Sequence, residues 1–319
     1  MLNRRILRIK AFKELYASVL SGNSSLAHAE SQLDVSCEAT RDLYVYMLSI
    51  VSPLTKIARE KIEAAKAKFN PTEQELNPNM KFADNALAVL LDADMDFQKI
   101  LAKKKFSWMQ YDLFLKKVFA SVASKDYYAE YMASPVVSLA EDCRLFTRIF
   151  EEEFVDSEDL EKILEDKSLY WNDDLAYALT WCCKTLKSFV KGEKWSLLPL
   201  YQSEMMTGKE VESDKFFVRR LLQTSFAGYE KYSAMVAESV EGWEKERLYS
   251  TDVVLIVMGL AEAVNFPTIP LKVTINEYVE LSKFYGTVKS RSFVNGILDR
   301  LIQKMVNEGA VKKEGKGLM

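Results

Sequence analysis

The chain has 319 residues, 49% of them hydrophobic and 12% aromatic, with only 11 Gly and 7 Pro. That composition excludes a disordered or collagen-like chain and suits a helix-rich one with enough apolar mass for one large core or two modest ones. The net charge of −3 does not imply a general nucleic-acid coat, yet the first thirteen residues hold Arg4, Arg5, Arg8, Lys10 and Lys13 and no acid, which hints at a localised polyanion contact, while residues 141–174 are strongly acidic.

Behind a candidate N-cap at Asn3, the stripe of Phe12, Leu15, Tyr16 and Val19 predicts a helix over 3–20. Residues 21–25 read as a loop. Helical patterning resumes near Glu30 and runs to about Phe69, with Pro53 breaking or kinking it. Asn70-Pro71 and Asn77-Pro78 bracket a linker, and further helices are expected at 80–104, 107–121, 137–154, 157–166 and 173–190, with breaks at Pro135 and Pro199. Polar residues 201–209 mark a junction, two helices follow over 210–242, and another spans 251–264 before a turn bracketed by Pro267 and Pro270. No alternating strand pattern and no fixed-period repeat occurs, so the fold class is all-α.

The stretch 273–300 holds two amphipathic segments. Leu271, Ile275, Tyr278, Leu281 and Tyr285 line one face of the first, and Val294, Ile297, Leu298, Leu301 and Met305 line the second. Gly286 stands where a left-handed C-cap would close the first helix. The link is a polar corner, Thr287-Val288-Lys289-Ser290-Arg291-Ser292. Beyond Gly309 the tail is Lys/Gly-rich and expected to fray.

Enzyme chemistry finds little support. The sole histidine, His28, removes a Ser-His-Asp triad and any His-rich metal site. No GxxxxGK[ST] or GxGxxG phosphate cradle occurs. Acid clusters such as Asp92/Asp94/Asp96 and Glu151/Glu152/Glu153 read as solvated helix faces. The four cysteines form no CxxC pair, and adjacent Cys182 and Cys183 suit neither a disulfide nor a tetrahedral metal, which points to reduced thiols in a cytoplasm. The longest apolar run, 253–260, is far short of a membrane span, and Arg4, Arg5 and Arg8 interrupt any apolar signal segment. A non-enzymatic cytoplasmic protein with no catalytic residues, cofactor or metal is expected.

Three places carry competing readings. Arg4, Arg5 and Arg8 extend the apolar stripe of the first helix and oppose its dipole, so they are either a solvated cluster or a phosphate-binding end of a bundle. Lysines and aromatics at 103–119 could stack bases, but Trp108, Tyr111, Leu115 and Val118 keep helical spacing after Ser107, which favours a core-facing helix. The polar corner, with Phe293 behind Lys289, Ser290 and Arg291, is either a solvated turn or a contact site.

Both chain ends resemble one family. TINEYVELSKFYG followed by SFVNGILDRL is similar to the C-terminal signature of NusB antitermination factors, and RRILRIKAFKELY resembles their arginine-rich opening helix. The resemblance covers roughly 1–20 and 215–305. It implies a NusB-like helical bundle from 1–20 and 210–308 with a helical block, 21–209, inserted after the first helix, and a flexible tail, 309–319; alternatively, 41–69 supplies a family helix.

The resemblance further implies a factor that binds boxA-like single-stranded RNA together with the ribosomal protein NusE within the RNA polymerase antitermination complex. Carried over, Arg4, Arg5 and Arg8 would neutralise phosphates. Tyr16 and Phe293 would stack bases, and Lys289, Ser290, Arg291 and Asn295 would complete the site. Two other readings stand beside it: a helical protein–protein scaffold without RNA binding, and an RNA-binding appendage of an rRNA methyltransferase. The last would need a strand–Gly–helix pattern that 21–210 lacks.

Overall fold

The Asn3 side chain accepts the Ile6 amide at 3.0 Å and starts the first helix, α1 (Arg4–Ser21), by satisfying one of the N–H groups a helix start leaves unpaired. The computed structural model describes residues 1–22, 25–201, 213–240 and 250–318, and no strand occurs among the described residues beyond one isolated bridge between Leu2 and Tyr201. The fold is all-α. After α1 come α2 (Leu26–Leu48), α3 (Val51–Lys66), α4 (Glu73–Leu76), α5 (Ala86–Ala93), α6 (Met95–Lys104), α7 (Asp112–Ala123), α8 (Asp126–Ala133), α9 (Leu139–Glu153), α10 (Glu158–Lys167) and α11 (Leu175–Val190). Then follow α12 (Asp214–Ala227), α13 (Tyr229–Ser239), α14 (Ser250–Asn265), α15 (Leu271–Tyr285) and α16 (Ser290–Asn307). Residues 202–209 of the expected junction, and 210–212, 241 and 242 of the two helices after it, lie outside the described residues.

Several expectations about the helices need correcting. The break in the 30–69 pattern falls at Ser49-Ile50, and Pro53 sits inside the first turn of α3, where a missing N–H forfeits no intrahelical bond. The single helix expected at 80–104 divides at Asp94, whose carboxylate caps α6 by accepting the Asp96 and Phe97 amides at 3.1 and 2.8 Å. Between 121 and 137 an unforeseen helix, α8, buries Tyr127 and Tyr131.

The chain forms two compact units: Met1–Cys37 with Pro199–Met319, and Glu38–Leu198. In the first, α14 is the hub, packing on α1, α12, α13, α15 and α16. It is apolar on nearly every side, and the run from Val254 to Ala263 is buried, as a helix enclosed by neighbours requires. Gly259 leaves room for α15 and α16, since a Cβ there would meet Leu298 at 2.7 Å and Tyr278 at 3.2 Å. The tail is docked rather than frayed: Val311 is buried, Lys313 donates to the Phe266 carbonyl at 2.9 Å and the Glu314 amide to the Pro267 carbonyl at 3.0 Å.

The second unit is built on aromatics. Tyr46 stacks between Trp108 at 4.2 Å and Trp171 at 5.3 Å, with Phe106 edge-on at 5.5 Å. The indole N–H groups of two of these rings are satisfied, that of Trp108 by the Tyr46 carbonyl and Ser49 hydroxyl and that of Trp171 by the Ala39 carbonyl. Trp108, Leu115 and Val118 are buried, so the 103–119 stretch serves this core and not a base-stacking surface. The four cysteines are buried free thiols. No helix is long and apolar enough to cross a membrane among the described residues.

Candidate nucleic-acid interface

The arginines of α1 meet acids far along the chain. Arg4 Nε donates to Asp214 Oδ1 at 3.2 Å, and Arg5 grips Glu277 through Nε and Nη2 at 3.0 and 2.8 Å. Their side chains remain 43% and 53% exposed. Arg8 differs: it is 3% exposed and holds Glu262 with two bonds, at 2.7 and 2.8 Å. Glu262 is fully buried and also accepts from Thr274 Oγ1 at 2.9 Å and Tyr278 OH at 3.1 Å. Burial works against the Arg8 charge, but the adjoining Glu262 carboxylate more than offsets it and raises the guanidinium pKa further. The Phe217 ring lies 5.0 Å from Arg4 and 5.1 Å from Arg8.

This corrects the phosphate-binding expectation for Arg8. The charged stripe does not run off the end of the bundle; α12, α14 and α15 continue alongside it and supply the acids. Arg8 is therefore part of the framework.

Tyr16 is partly buried, stacked on Phe12 at 5.8 Å, and its hydroxyl accepts from Ser250 at 3.3 Å. Phe12 in turn touches Tyr285 at 5.0 Å. The second half of α1 thus meets the start of α14 and the end of α15.

The corner lies at that same end. Its helix begins earlier than expected, at Ser290, leaving residues 286–289 as the connection. Gly286 is extended, with φ −109° and ψ −169°, and not the left-handed cap expected. What requires glycine is space, because a Cβ would lie 2.4 Å from the Ser290 Cβ and 2.7 Å from the Ser282 carbonyl. Ser290 is buried and pins the turn: its hydroxyl accepts the Thr287 amide at 2.7 Å and donates to Asp252 Oδ2 at 2.8 Å. Burial raises the Asp252 carboxyl above its usual range, with the Ser290 bond opposing the shift. Ser290 is accordingly a structural pin, which corrects its assignment as a contact residue. Lys289, Arg291 and Asn295 are exposed and Phe293 is partly buried. Lys289 and Arg291 form no ion pair among the described residues.

Ser250 and Asp252, two residues apart at the head of α14, bring Tyr16 and the corner to one end of the first unit. Arg4 and Arg8 lie further along α1, about 18 and 12 Å from Tyr16 at 1.5 Å per residue. Arg5 reaches back along α15. The Lys283 ammonium, bonded at 2.5 Å, holds the Glu280 carboxyl below its usual range, and Arg5 and Arg291 both reinforce this. Glu277, Glu280 and Asp252 were not foreseen; only the helical spacing of the two glutamates hinted that they share a face.

Residues 185–303 match the model of the NusB family. That stretch resembles the NusB family. It includes the corner, α14 and the FVNG run, whereas α1 falls outside the matched range. The chain is similar to curated transcription antitermination proteins NusB from Chloroherpeton thalassium (32% identical over 33% of this chain and 50% of that protein), Salinibacter ruber (29%, over 34% and 69%) and Alkaliphilus oremlandii (27%, over 34% and 80%). The match thus spans about half the length of the first of these relatives and leaves most of this chain uncovered. No solved structure matches the chain significantly.

Proposed function

We propose that the protein is a cytoplasmic, non-enzymatic transcription antitermination and rRNA biogenesis factor that holds boxA-like single-stranded RNA together with NusE in the RNA polymerase antitermination complex. The observation that carries this reading is the pair of exposed cations, Lys289 and Arg291, at the head of α16, without an ion pair among the described residues, in the stretch that resembles the NusB family and on the same end of the unit as Tyr16. Lys289 and Arg291 neutralise phosphates, and Tyr16 and Phe293 offer rings to unpaired bases. Arg4 and Arg5 join by exchanging a carboxylate for a phosphate. Residues 21–209 act as an inserted docking surface or spacer.

A scaffold without RNA binding is the second reading, and the pairing of Arg4, Arg5 and Arg8 with Asp214, Glu277 and Glu262 favours it. Binding of a boxA-containing RNA, measured by fluorescence anisotropy with and without NusE over a salt series, separates the two. The RNA reading expects Lys289→Ala and Arg291→Ala to weaken binding and each to lower the salt slope by about 1. Absence of RNA binding by the unmodified protein in both conditions would leave the scaffold.

A further inference from the structure

Phe284, in the last turn of α15, is 78% exposed, and Val288, four residues on, is fully exposed. Neighbouring Tyr285 turns inward onto Phe12, so Phe284, about 100° away around α15, faces water. One turn earlier on the same side stands Glu280, the carboxylate influenced by Lys283, Arg5 and Arg291. Phe284 and Val288 lead directly into the cationic corner, where Lys289 and Arg291 are exposed and without an ion pair among the described residues.

An exposed ring followed by exposed cations suits a polyanion with accessible base faces, because the ring stacks a base while the cations meet its phosphates. An apolar protein pocket fits less well, since covering Phe284 would also desolvate Lys289 and Arg291. We infer that Phe284 is a stacking platform for an unpaired base of single-stranded RNA, in addition to the rings of Tyr16 and Phe293. This role depends on the RNA reading proposed for the same corner.

The test uses the full chain and a single-stranded boxA-containing RNA, comparing wild type with Phe284→Ala, Phe284→Trp and the Lys289→Ala/Arg291→Ala double variant over a salt series. Phe284→Ala is expected to weaken binding about tenfold with an unchanged salt slope, the signature of stacking and not of charge. Phe284→Trp is expected to retain affinity, with its added emission quenched on RNA addition. The double variant is expected to lower the slope. Binding by Phe284→Ala within about twofold of wild type, while the double variant is weakened, overturns the stacking role and leaves the RNA reading intact. A loss seen only with NusE present also overturns it, because the ring then serves a protein contact. If wild type binds no RNA with or without NusE, the RNA reading itself falls.

Discussion

Arg8 and Glu262, 254 residues apart in sequence, form a two-bond ion pair that is almost completely withdrawn from water. Removing one partner would strand a buried charge. Arg8→Ala is expected to lower stability by about 3–5 kcal/mol in urea denaturation, and Arg8→Met combined with Glu262→Leu to recover much of the loss. A loss below about 1 kcal/mol for the single variant would show that the pair is not buried as described.

Gly286 and Gly296 make opposite predictions. Gly286→Ala drives a methyl group into Ser290 and the Ser282 carbonyl and is expected to destabilise by about 1–3 kcal/mol. Gly296 is exposed within α16, and a Cβ there would have nothing within 4 Å, so Gly296→Ala should gain about 0.5–1 kcal/mol. Thermal melts of both variants decide the matter, and equal shifts would contradict the steric role of Gly286.

Asp252 makes stability depend on pH. Its folded carboxyl titrates above its unfolded one, so folding takes up a proton between the two values and stability falls as pH rises through that window. Oδ1 has no hydrogen-bond partner among the described residues, and an amide at this position can still accept the Ser290 bond. Asp252→Asn should therefore raise stability more at about pH 7 than at about pH 4 in parallel urea titrations. A larger gain at the lower pH would reverse the assigned direction.

Trp171 anchors the second unit through the Tyr46 stack and its bond to the Ala39 carbonyl. Trp171→Ala is expected to cost about 3–5 kcal/mol, read as an unfolding transition moved to lower urea. A shift under about 1 kcal/mol would mean that the aromatic cluster repacks without it.

Periodicity made the helices legible because a helix's buried face is written locally, at spacings of three and four residues. Asn3 as a cap and the core face of Tyr278, Leu281, Val294, Ile297 and Leu298 were readable in this way. Ser49-Ile50, Asp94 and α8 were not, since breaks and short helices depend on caps and packing more than on a repeating stripe.

The all-α class, the two amphipathic segments around Gly286 and the NusB-like signature could all be read from the chain alone, because each rests on neighbours within a few turns. Which cations are already paired emerged only from helix packing. Arg4, Arg5 and Arg8 look alike in the first helix, but their carboxylate partners are brought in from Asp214, Glu277 and Glu262, more than two hundred residues away. Lys289 and Arg291 stay exposed because their helix start faces water, with no acid placed within ion-pair distance among the described residues.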